Sequence, residues 1–474
     1  MPAADGRMSR SLGSPMARYS KRPRRSNLRL CLLACLAASL VIYFFSAWLV
    51  AFLRSPLRRT PPPTDCAPER DGFSVEQGAV CNRDCAGVCF PRVRGLCISR
   101  ERVTICGEQP PISDWVAAAG GVMPSEMLFT RERPRTKVPV VRGECPPMQG
   151  EGASALQKGG QSELAQGESN ARWIRGTQFL TDLKQLPVGK EGVGPNPHHE
   201  AEKVIPAVLL NQRYGLGNST LYWFADPSTI SAFTLGLLEA FPGLGVEYLR
   251  FPEEGDPPIC FEDAVVFSGI TSARYMPGKA ANDWLRDEVL GHCGIEARRA
   301  SRPVQDVVLL RRENSRSIAN YLSVEVMLAR SLRAPVRTII SGQGDFCQQV
   351  RPVAEADFLI TPHGSQNTGF VFARPGAVVL EVFPLYYYID FFRNYIHAAS
   401  LEHYEMWGTW GSGRRMPWLM RLYGVLLGWE YCYAVTPCMN YSKGQSVYVD
   451  LEQLEWLLKR LPRSYKNGYN VTLD

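Results

Sequence analysis

The stretch Ala356 to Pro384, ADFLITPHGSQNTGFVFARPGAVVLEVFP, constrains the fold more than any other part of the chain. Phe358-Leu359-Ile360 is a short uncharged apolar run, too brief for a helix, and reads as a buried strand. Thr361-Pro362-His363-Gly364-Ser365 turns the chain. Asn367 to Ala373 has room for about two helical turns and is closed by Arg374-Pro375-Gly376. A second apolar run, Ala377 to Leu380, leads to Glu381 and Pro384. Strand, glycine turn, short helix and strand make the β-α-β unit of a parallel sheet. Ligands of such sheets sit beyond the carboxyl ends of the strands, where helix N-termini present free N–H groups to phosphate. His363, Gly364 and Ser365 stand at that end, with Glu381 on the following strand. The expected ligand is therefore a phosphorylated donor.

The surrounding chain extends the pattern. Val307 to Leu310 reads as a strand that runs straight into Arg311-Arg312-Glu313-Asn314-Ser315-Arg316. Val324 to Leu332 reads as a helix, Val336 to Ile340 as a strand, and Gln348 to Ala356 as a helix. Near the end, Val447 to Val449 reads as a strand and Leu451 to Leu461 as a helix. Upstream, Val204 to Leu210 looks like a buried strand and Thr229 to Phe241 like a helix stopped by Pro242-Gly243. Val246 to Phe251 and Asp263 to Phe267 read as strands, and Lys279 to Leu290 has the spacing of an amphipathic helix. Alternating strands and helices over about 300 residues, twice a usual domain, predict an α/β protein of two doubly wound lobes, 171–300 and 301–474.

Charge locates the ends of the molecule. The net charge of +7 would invite a nucleic-acid reading, but residues 1–29 alone carry eight basic residues against Asp5. Arg54, Arg58 and Arg59 add three more, so residues 60–474 come to −3. A slightly acidic body does not fit a phosphate-backbone binder. No charged residue lies between Arg29 and Arg54, and Leu30 to Leu53 is long enough for about one bilayer crossing. The denser basic flank is N-terminal, which puts that end in the cytoplasm. The expected organisation is a cytoplasmic tail (1–29), a single-pass type II signal-anchor (30–53), and a proline- and cysteine-rich stem and linker (54–170) before the lobes. A cleaved signal peptide is the rival reading.

Cysteine usage agrees with a lumenal body. Cys31 and Cys35 lie in the anchor, and the other twelve cysteines follow it, an even number in an oxidising compartment. Cys66 to Cys106 holds six of them; Cys81, Cys85 and Cys89 lack the two-residue spacing of zinc pairs and have no histidine nearby, so disulfides are expected. Sequons at Asn218, Asn440 and Asn470 are compatible with glycosylation.

Arg311, Arg312 and Arg316 stand at the carboxyl end of a predicted strand, where guanidinium groups clamp a diphosphate through paired hydrogen bonds. Arg316 and Arg311 are the favoured ligands, surface ion pairing being the alternative. His363 is read as a donor to phosphate, a structural histidine bonded to the backbone being the alternative. Glu381, a charge inside an apolar strand, is costly to bury without a partner, which ribose hydroxyls or a protein arginine would supply. No G-x-S-x-G, P-loop or G-x-G-x-x-G occurs, so serine hydrolase and common nucleotide-binding motifs are unsupported. No D-x-D occurs either, so neither a metal-bridged diphosphate nor any cofactor is indicated.

His363-Gly364-Ser365-Gln366-Asn367-Thr368, followed by Pro375-Gly376-Ala377-Val378-Val379-Leu380-Glu381-Val382-Phe383-Pro384, resembles the signature of glycosyltransferase family 61. There an H-G-A-G-L-T-N turn precedes a P-G-A-V-V-I-E-I-F-P strand. Arg311-Arg312 with Asn314-Ser315-Arg316, Cys260-Phe261-Glu262 and the Val449 to Leu458 tail also match, over roughly residues 200 to 460. The resemblance implies a GT-B fold of two Rossmann-like lobes, the N-terminal one (171–300) on the acceptor side. The C-terminal one (301–474, with its return helix) holds a nucleotide sugar through Arg311, Arg316, His363, Gly364, Ser365 and Glu381. It implies an inverting glycosyltransferase in the Golgi membrane or endoplasmic reticulum. The sugar would be xylose, arabinose or N-acetylglucosamine, passed from a UDP-sugar to a protein-linked glycan or a polysaccharide. One base would deprotonate the acceptor hydroxyl, while cationic and N–H groups in place of a metal stabilise the leaving diphosphate. Family members often carry N-x-x-H-[WF]-x-x-[DE] in the first lobe. Here Ser219 to Asp226 keeps the aromatic and the acid but has Tyr222 where histidine is usual. Asp226 is then the candidate catalytic base, a helix N-cap before Pro227 being its structural alternative. The substitution also leaves open a catalytically inactive member acting as a lumenal binding or assembly subunit.

Overall fold

The polypeptide follows the alternation expected of it most closely in its second half. A computed structural model describes residues 73–76, 79–82, 89–107, 140–148, 171–181, 196–216, 218–267, 275–313, 315–389, 391–409 and 436–462. Among these, no helix is long and apolar enough to cross a membrane; the anchor expected over 30–53 lies outside them, as do Asn470 and most of the stem. Residues 65–474 form one compact unit.

The first sheet has nine strands: β1 (Phe73–Glu76), β2 (Ala79–Asn82), β3 (Cys89–Ile98), β4 (Val103–Cys106), β5 (Val140–Gly143), β6 (Arg172–Thr181), β7 (Thr220–Trp223), β8 (Gly245–Tyr248) and β9 (Ile259–Phe267). Its main path runs β1-β2-β3-β9-β6-β7-β8, with β4 and β5 branching from β3. The arm β9-β6-β7-β8 is parallel, and β3 joins β9 antiparallel. Residues 89–107, assigned to the stem by their cysteines, are therefore part of this sheet. The Cys97–Cys260 disulfide crosses from β3 to β9 at residues that are already register partners. Cys106–Cys145 and Cys293–Cys347 are also bonded, and Cys438 is disulfide-bonded as well.

Helices α1 (Pro197–Val208) and α2 (Ala232–Glu239) connect strands of this sheet, and α3 (Lys279–His292) follows β9. The strand expected over Val204–Leu210 is overturned: these residues are the end of α1 and the start of a wide helical turn, Leu209–Arg213. The cause is local. Asn196 caps the helix by accepting from the His198 N–H, and Pro197 sits at the first position, where its missing donor costs nothing. Because Val204, Ile205, Ala207, Val208, Leu209 and Leu210 are all buried, no polar face breaks the run, and a helix buried all round imitates a strand in sequence. The helix expected over Thr229–Phe241 is split into a single 3₁₀ turn, Pro227–Thr229, and α2.

The second sheet is all parallel: β10 (Val307–Arg311), β11 (Val336–Ile340), β12 (Phe358–Pro362), β13 (Val378–Phe383) and β14 (Glu402–Trp407) in the order β11-β10-β12-β13-β14. Numbered within the sheet this is 2-1-3-4-5, a doubly wound order whose switch point lies between β10 and β12. The turn after β12 opens a 3₁₀ helix, Ser365–Phe372, in place of the expected α-helix. Helices α4 (Tyr321–Leu332), α5 (Phe346–Glu355), α6 (Arg393–Ala398), α7 (Thr436–Gly444) and α8 (Leu451–Arg460) complete the set. Val447 to Val449 makes only isolated bridges and is not a strand, apart from the pairings Ile318–Val447 and Thr409–Tyr448.

Strand alternation divides the second sheet into two cores. Val307, Leu309, Phe358, Ile360, Val378 and Leu380 pack with α4 and α8 on one face. Val308, Leu310, Leu359 and Val379 face α1, α2, α3, α5 and the 3₁₀ helix, and share one core with Phe179, Val265 and Phe267 of the first sheet. The elements that bracket the switch point are thus held by apolar packing from both sheets.

Candidate functional site

Past their last apolar residues, β10, β11 and β12 deliver polar side chains to the carboxyl edge. β10 ends with Arg311, whose side chain follows the alternation to the α4 face and stacks 3.4 Å from the Tyr321 ring centroid. Arg312, one residue on, points to the opposite face. Its Nη1 donates to Gln366 Oε1 at 2.6 Å and its Nε to the Ser315 carbonyl at 3.0 Å. Gln366 Nε2 in turn donates to Thr361 Oγ1 at 3.2 Å and to the Pro362 carbonyl. Gly364 lets the two side chains approach closely, since a Cβ there would lie 2.6 Å from Arg312 Nη1 and would push its end aside. The switch point is therefore closed by an arginine from β10 laid against the turn after β12.

A cavity of about 400 Å³ opens beside it, within the range of small-molecule sites. Leu310, Arg312 and Glu313 line it from β10, Ser341 to Gln343 from the end of β11, Gln348 and Gln349 from α5, and Ser365 and Gln366 from the 3₁₀ helix. Ser231 to Phe233, at the start of α2, close it from the first sheet's side. Of the expected residues, Ser365 lines the cavity and Gly364 adjoins it.

Arg316 belongs to the same edge by a different route. Its backbone is left-handed, with φ 61°, a conformation costly for a non-glycine residue. It is held there by its N–H donating to the Gln445 carbonyl at 2.8 Å. The side chain is buried, its Nε has no hydrogen-bond partner, and its guanidinium lies 5.9 Å from the Tyr387 ring. Burial lowers the Arg316 pKa. Burial and then Arg316 bring Arg312 down to about 10. Lys443, on α7, is lowered by burial, then by Arg316 and Arg312. Among the described residues none of these three cations pairs with a carboxylate. Arg316 is the buried member, Arg312 is half-buried and Lys443 is the most exposed, so the mutual repulsion falls mainly on Arg316 and an anion entering there would relieve it.

His363 and Glu381 form a separate, enclosed network. The His363 ring stacks on Phe383 at 4.9 Å and meets Tyr387 and Phe392 at its edges. Its Nδ1 is 2.7 Å from Glu381 Oε1. Asn367 Nδ2 donates to the same oxygen at 2.8 Å, and His403 Nε2 lies 3.1 Å from Oε2. Both oxygens of Glu381 are thus taken by protein groups. Its expected partner, a ribose hydroxyl or an arginine, is replaced by two histidines and an amide. Glu381 holds His363 through Nδ1, and the ring is buried away from the cavity lining. Tyr387, which touches both Arg316 and His363, joins this network to the cationic edge.

Asp226 lies elsewhere. It caps the 3₁₀ turn Pro227–Thr229, accepting from Ser228 N at 2.9 Å and Ser228 Oγ at 2.7 Å, and those bonds lower its pKa. It is exposed and is not among the residues that line the cavity. Tyr222 packs against Phe261 at 5.2 Å, in the core on the other face of the first sheet. Asn218 and Asn440 are exposed. One buried histidine was not singled out in the sequence: His198, on α1, is wedged among Phe391, Phe392 and Tyr395. Burial, against the pull of Glu202, lowers its pKa to about 4, so its ring is neutral.

A parallel 2-1-3-4-5 sheet with an unpaired cationic edge at its switch point is a doubly wound α/β framework of the nucleotide-binding kind. The Glycosyltransferase 61 family model matches residues 177–380, which span the end of β6 to β13 and include every element bordering the cavity. Over this region, less than half of its length, the chain is similar to glycosyltransferase family 61. Two similar proteins are the protein O-linked-mannose beta-1,4-N-acetylglucosaminyltransferase 2 of Tetraodon nigroviridis and that of Takifugu rubripes. Each is 30% identical over 105 residues, 21% of this chain and 18% of the relative. The match spans less than a fifth of the length of these relatives.

Proposed function

We propose that this chain is an inverting, GT-B type glycosyltransferase that moves a sugar from a UDP-sugar to a glycan on protein or a polysaccharide. The observation that carries the reading is the set of three cations, Arg312, Arg316 and Lys443, none of which pairs with a carboxylate among the described residues, at the carboxyl edge of a doubly wound sheet. A diphosphate is the ligand that such an edge accommodates, and the N–H groups that open the 3₁₀ helix at Ser365 add to it. The same cations would stabilise the charge that develops on the leaving UDP, which a metal supplies in other transferases. In the reaction an acceptor oxygen forms a bond to the anomeric carbon as the bond from that carbon to the diphosphate breaks. The proton of the acceptor hydroxyl passes to a base.

Glu313 is the base we assign. It is the one acidic residue among those lining the cavity, whereas Asp226 is committed to a cap and is made less basic by it. The names of the two relatives make N-acetylglucosamine the first donor sugar to test, ahead of xylose and arabinose. The lobe division at 171–300 and 301–474, a type II anchor over 30–53 and residence in the Golgi membrane complete the proposal. The inactive alternative draws no support from Tyr222, which packs in the core rather than in the cavity.

The test is release of UDP by the purified full-length chain across a panel of UDP-sugars, with and without EDTA. Turnover with one sugar that survives EDTA supports the proposal. Failure of UDP to bind at all would remove it.

A further inference from the structure

We propose that His198, His199 and Glu202 bind one divalent transition-metal cation of the zinc class at the start of α1. Asn196 and Pro197 fix the first turn of this helix, so the positions of the next residues are set by helix geometry. His198 and Glu202 lie one above the other at i and i+4, and His199 reaches the same carboxylate at i+3. His198 Nε2 is 3.8 Å from Glu202 Oε1, and His199 Nδ1 is 3.3 Å from Glu202 Oε2. One ligand atom from each of the three lies within 4.8 Å of the others. A tetrahedral zinc ion with bonds of about 2.0–2.1 Å spaces its ligand atoms by about 3.3–3.4 Å. The spacing here is close to that. His199, whose side chain is 32% exposed, has room to swing inward and close the remainder.

His198 supplies an independent observation. Its side chain is only 3% exposed, and neither ring nitrogen has a hydrogen-bond partner. A buried imidazole normally satisfies at least one nitrogen, as His363 does with Glu381. The Nε2 to Glu202 distance is too long for a hydrogen bond but suits two ligands of a common ion. Glu202 has a further interaction of its own. Phe391, Phe392 and Tyr395 enclose the His198 ring and exclude water from that side.

Donor chemistry selects the ion. Two imidazoles and one carboxylate suit zinc, and cobalt as its spectroscopic substitute, whereas magnesium and calcium prefer oxygen ligands. The site is distinct from the cationic edge of Arg312, Arg316 and Lys443, which repels a cation. Its role is to brace the start of α1, next to Pro197 on the cavity wall.

The test uses the untagged full-length chain, loaded with zinc, desalted and analysed by elemental mass spectrometry, with a parallel cobalt titration followed in the visible. The expected result is one zinc per chain, intense visible bands for cobalt in tetrahedral nitrogen and oxygen coordination, and a Tm raised by zinc. His199→Ala, at a partly exposed position that tolerates truncation, should fold and bind zinc at least about tenfold more weakly, as should Glu202→Gln. Loss of the cobalt bands in both variants would support the assignment. A native chain that retains no zinc and shows no cobalt bands would overturn it. So would zinc binding of equal strength in both variants, which would place the metal on other residues.

Discussion

His363 Nδ1 and Glu381 Oε1 stand 2.7 Å apart, on the turn after β12 and on β13, with both side chains sealed from solvent. His403, from the next strand, takes the other carboxylate oxygen. Burial alone would raise the Glu381 pKa. The two histidines outweigh it, and the carboxyl falls from its ordinary 4.5 to about 2. A single buried carboxylate therefore ties three consecutive elements of the parallel sheet together at the edge where the cavity opens.

That linkage predicts a signature in acid. Because the folded pKa is depressed, the stabilisation is fully present above the ordinary carboxyl value and is lost as pH falls through about 2. A shift of this size corresponds to about 3 kcal/mol, the order seen when one partner of a buried pair is removed. Glu381→Gln should lose that amount at neutral pH in denaturant unfolding. Between pH 5 and pH 2 its stability should fall less steeply than that of the native chain. Equal slopes for the two proteins would mean that Glu381 does not carry the acid sensitivity.

Adjacent arginines should behave oppositely. Arg312→Ala removes one of three gathered cations and its bond to Gln366. Loss of a charge-assisted contact of about 1.5–3 kcal/mol should weaken UDP binding roughly tenfold to a hundredfold. Arg316→Ala should do the same, with little change in fold. Arg311→Ala gives up only its stack on Tyr321, on the far face of the sheet, and should leave UDP affinity unchanged. Calorimetric titration of the three variants checks this. Loss of UDP binding in Arg311→Ala alone would reverse the assignment of faces.

The contrast shows where the sequence was readable. β10 to β13 and the helices between them were legible to within a few residues. Buried parallel strands are unbroken apolar runs, and Asp345 and Asp450 cap α5 and α8 as polar punctuation. The cavity's edge was legible as a place, from the turn at His363 to Ser365. Which arginine reaches it follows from strand alternation: Leu310 faces the shared core, so Arg312 does too and Arg311 does not. Asp226 is ambiguous in sequence because its two readings, base and cap, share one pattern; the Ser228 bonds show the cap. The grouping of His198, His199 and Glu202 depends on α1 beginning at Pro197, upstream of the apolar run that resembles a strand. In a strand His198 and Glu202 would sit more than 13 Å apart rather than on adjacent turns.

The two carboxylates are separable by kinetics. Asp226→Asn keeps a good N-cap and leaves the cavity untouched, so kcat and KM should stay within about twofold of native. Glu313→Gln removes the proton acceptor assigned here. It should lower kcat by about 100-fold or more, with the affinity for UDP preserved. Should Asp226→Asn prove the crippled enzyme and Glu313→Gln the active one, the base would lie on the first sheet and the cavity would serve the donor alone.

Finally, the join between β3 and β9 decides where the folded unit begins. Strand β3 pairs with β9 over Arg92 to Ile98, and Cys97 is bonded to Cys260. The pair is reinforced by Arg92 donating from Nε to both Asp263 oxygens, at 2.9 and 3.0 Å. Val93, Leu96 and Ile98 lie in the same core as Phe261, Ala264 and Val266. A chain beginning at residue 171 would strip this cover, leaving β9 as an open edge beside an exposed apolar face, a setting that favours aggregation. A chain beginning at residue 65 keeps it. The shorter chain should be insoluble or lack a cooperative melt, and the longer one should melt cooperatively and be stabilised by UDP. Replacing Cys97 and Cys260 together by alanine in the longer chain should cost about 2–5 kcal/mol without changing the cavity. If the chain from residue 171 melted cooperatively and bound UDP as well as the longer one, the cysteine-rich segment would be an appendage rather than part of the sheet on which the site is built.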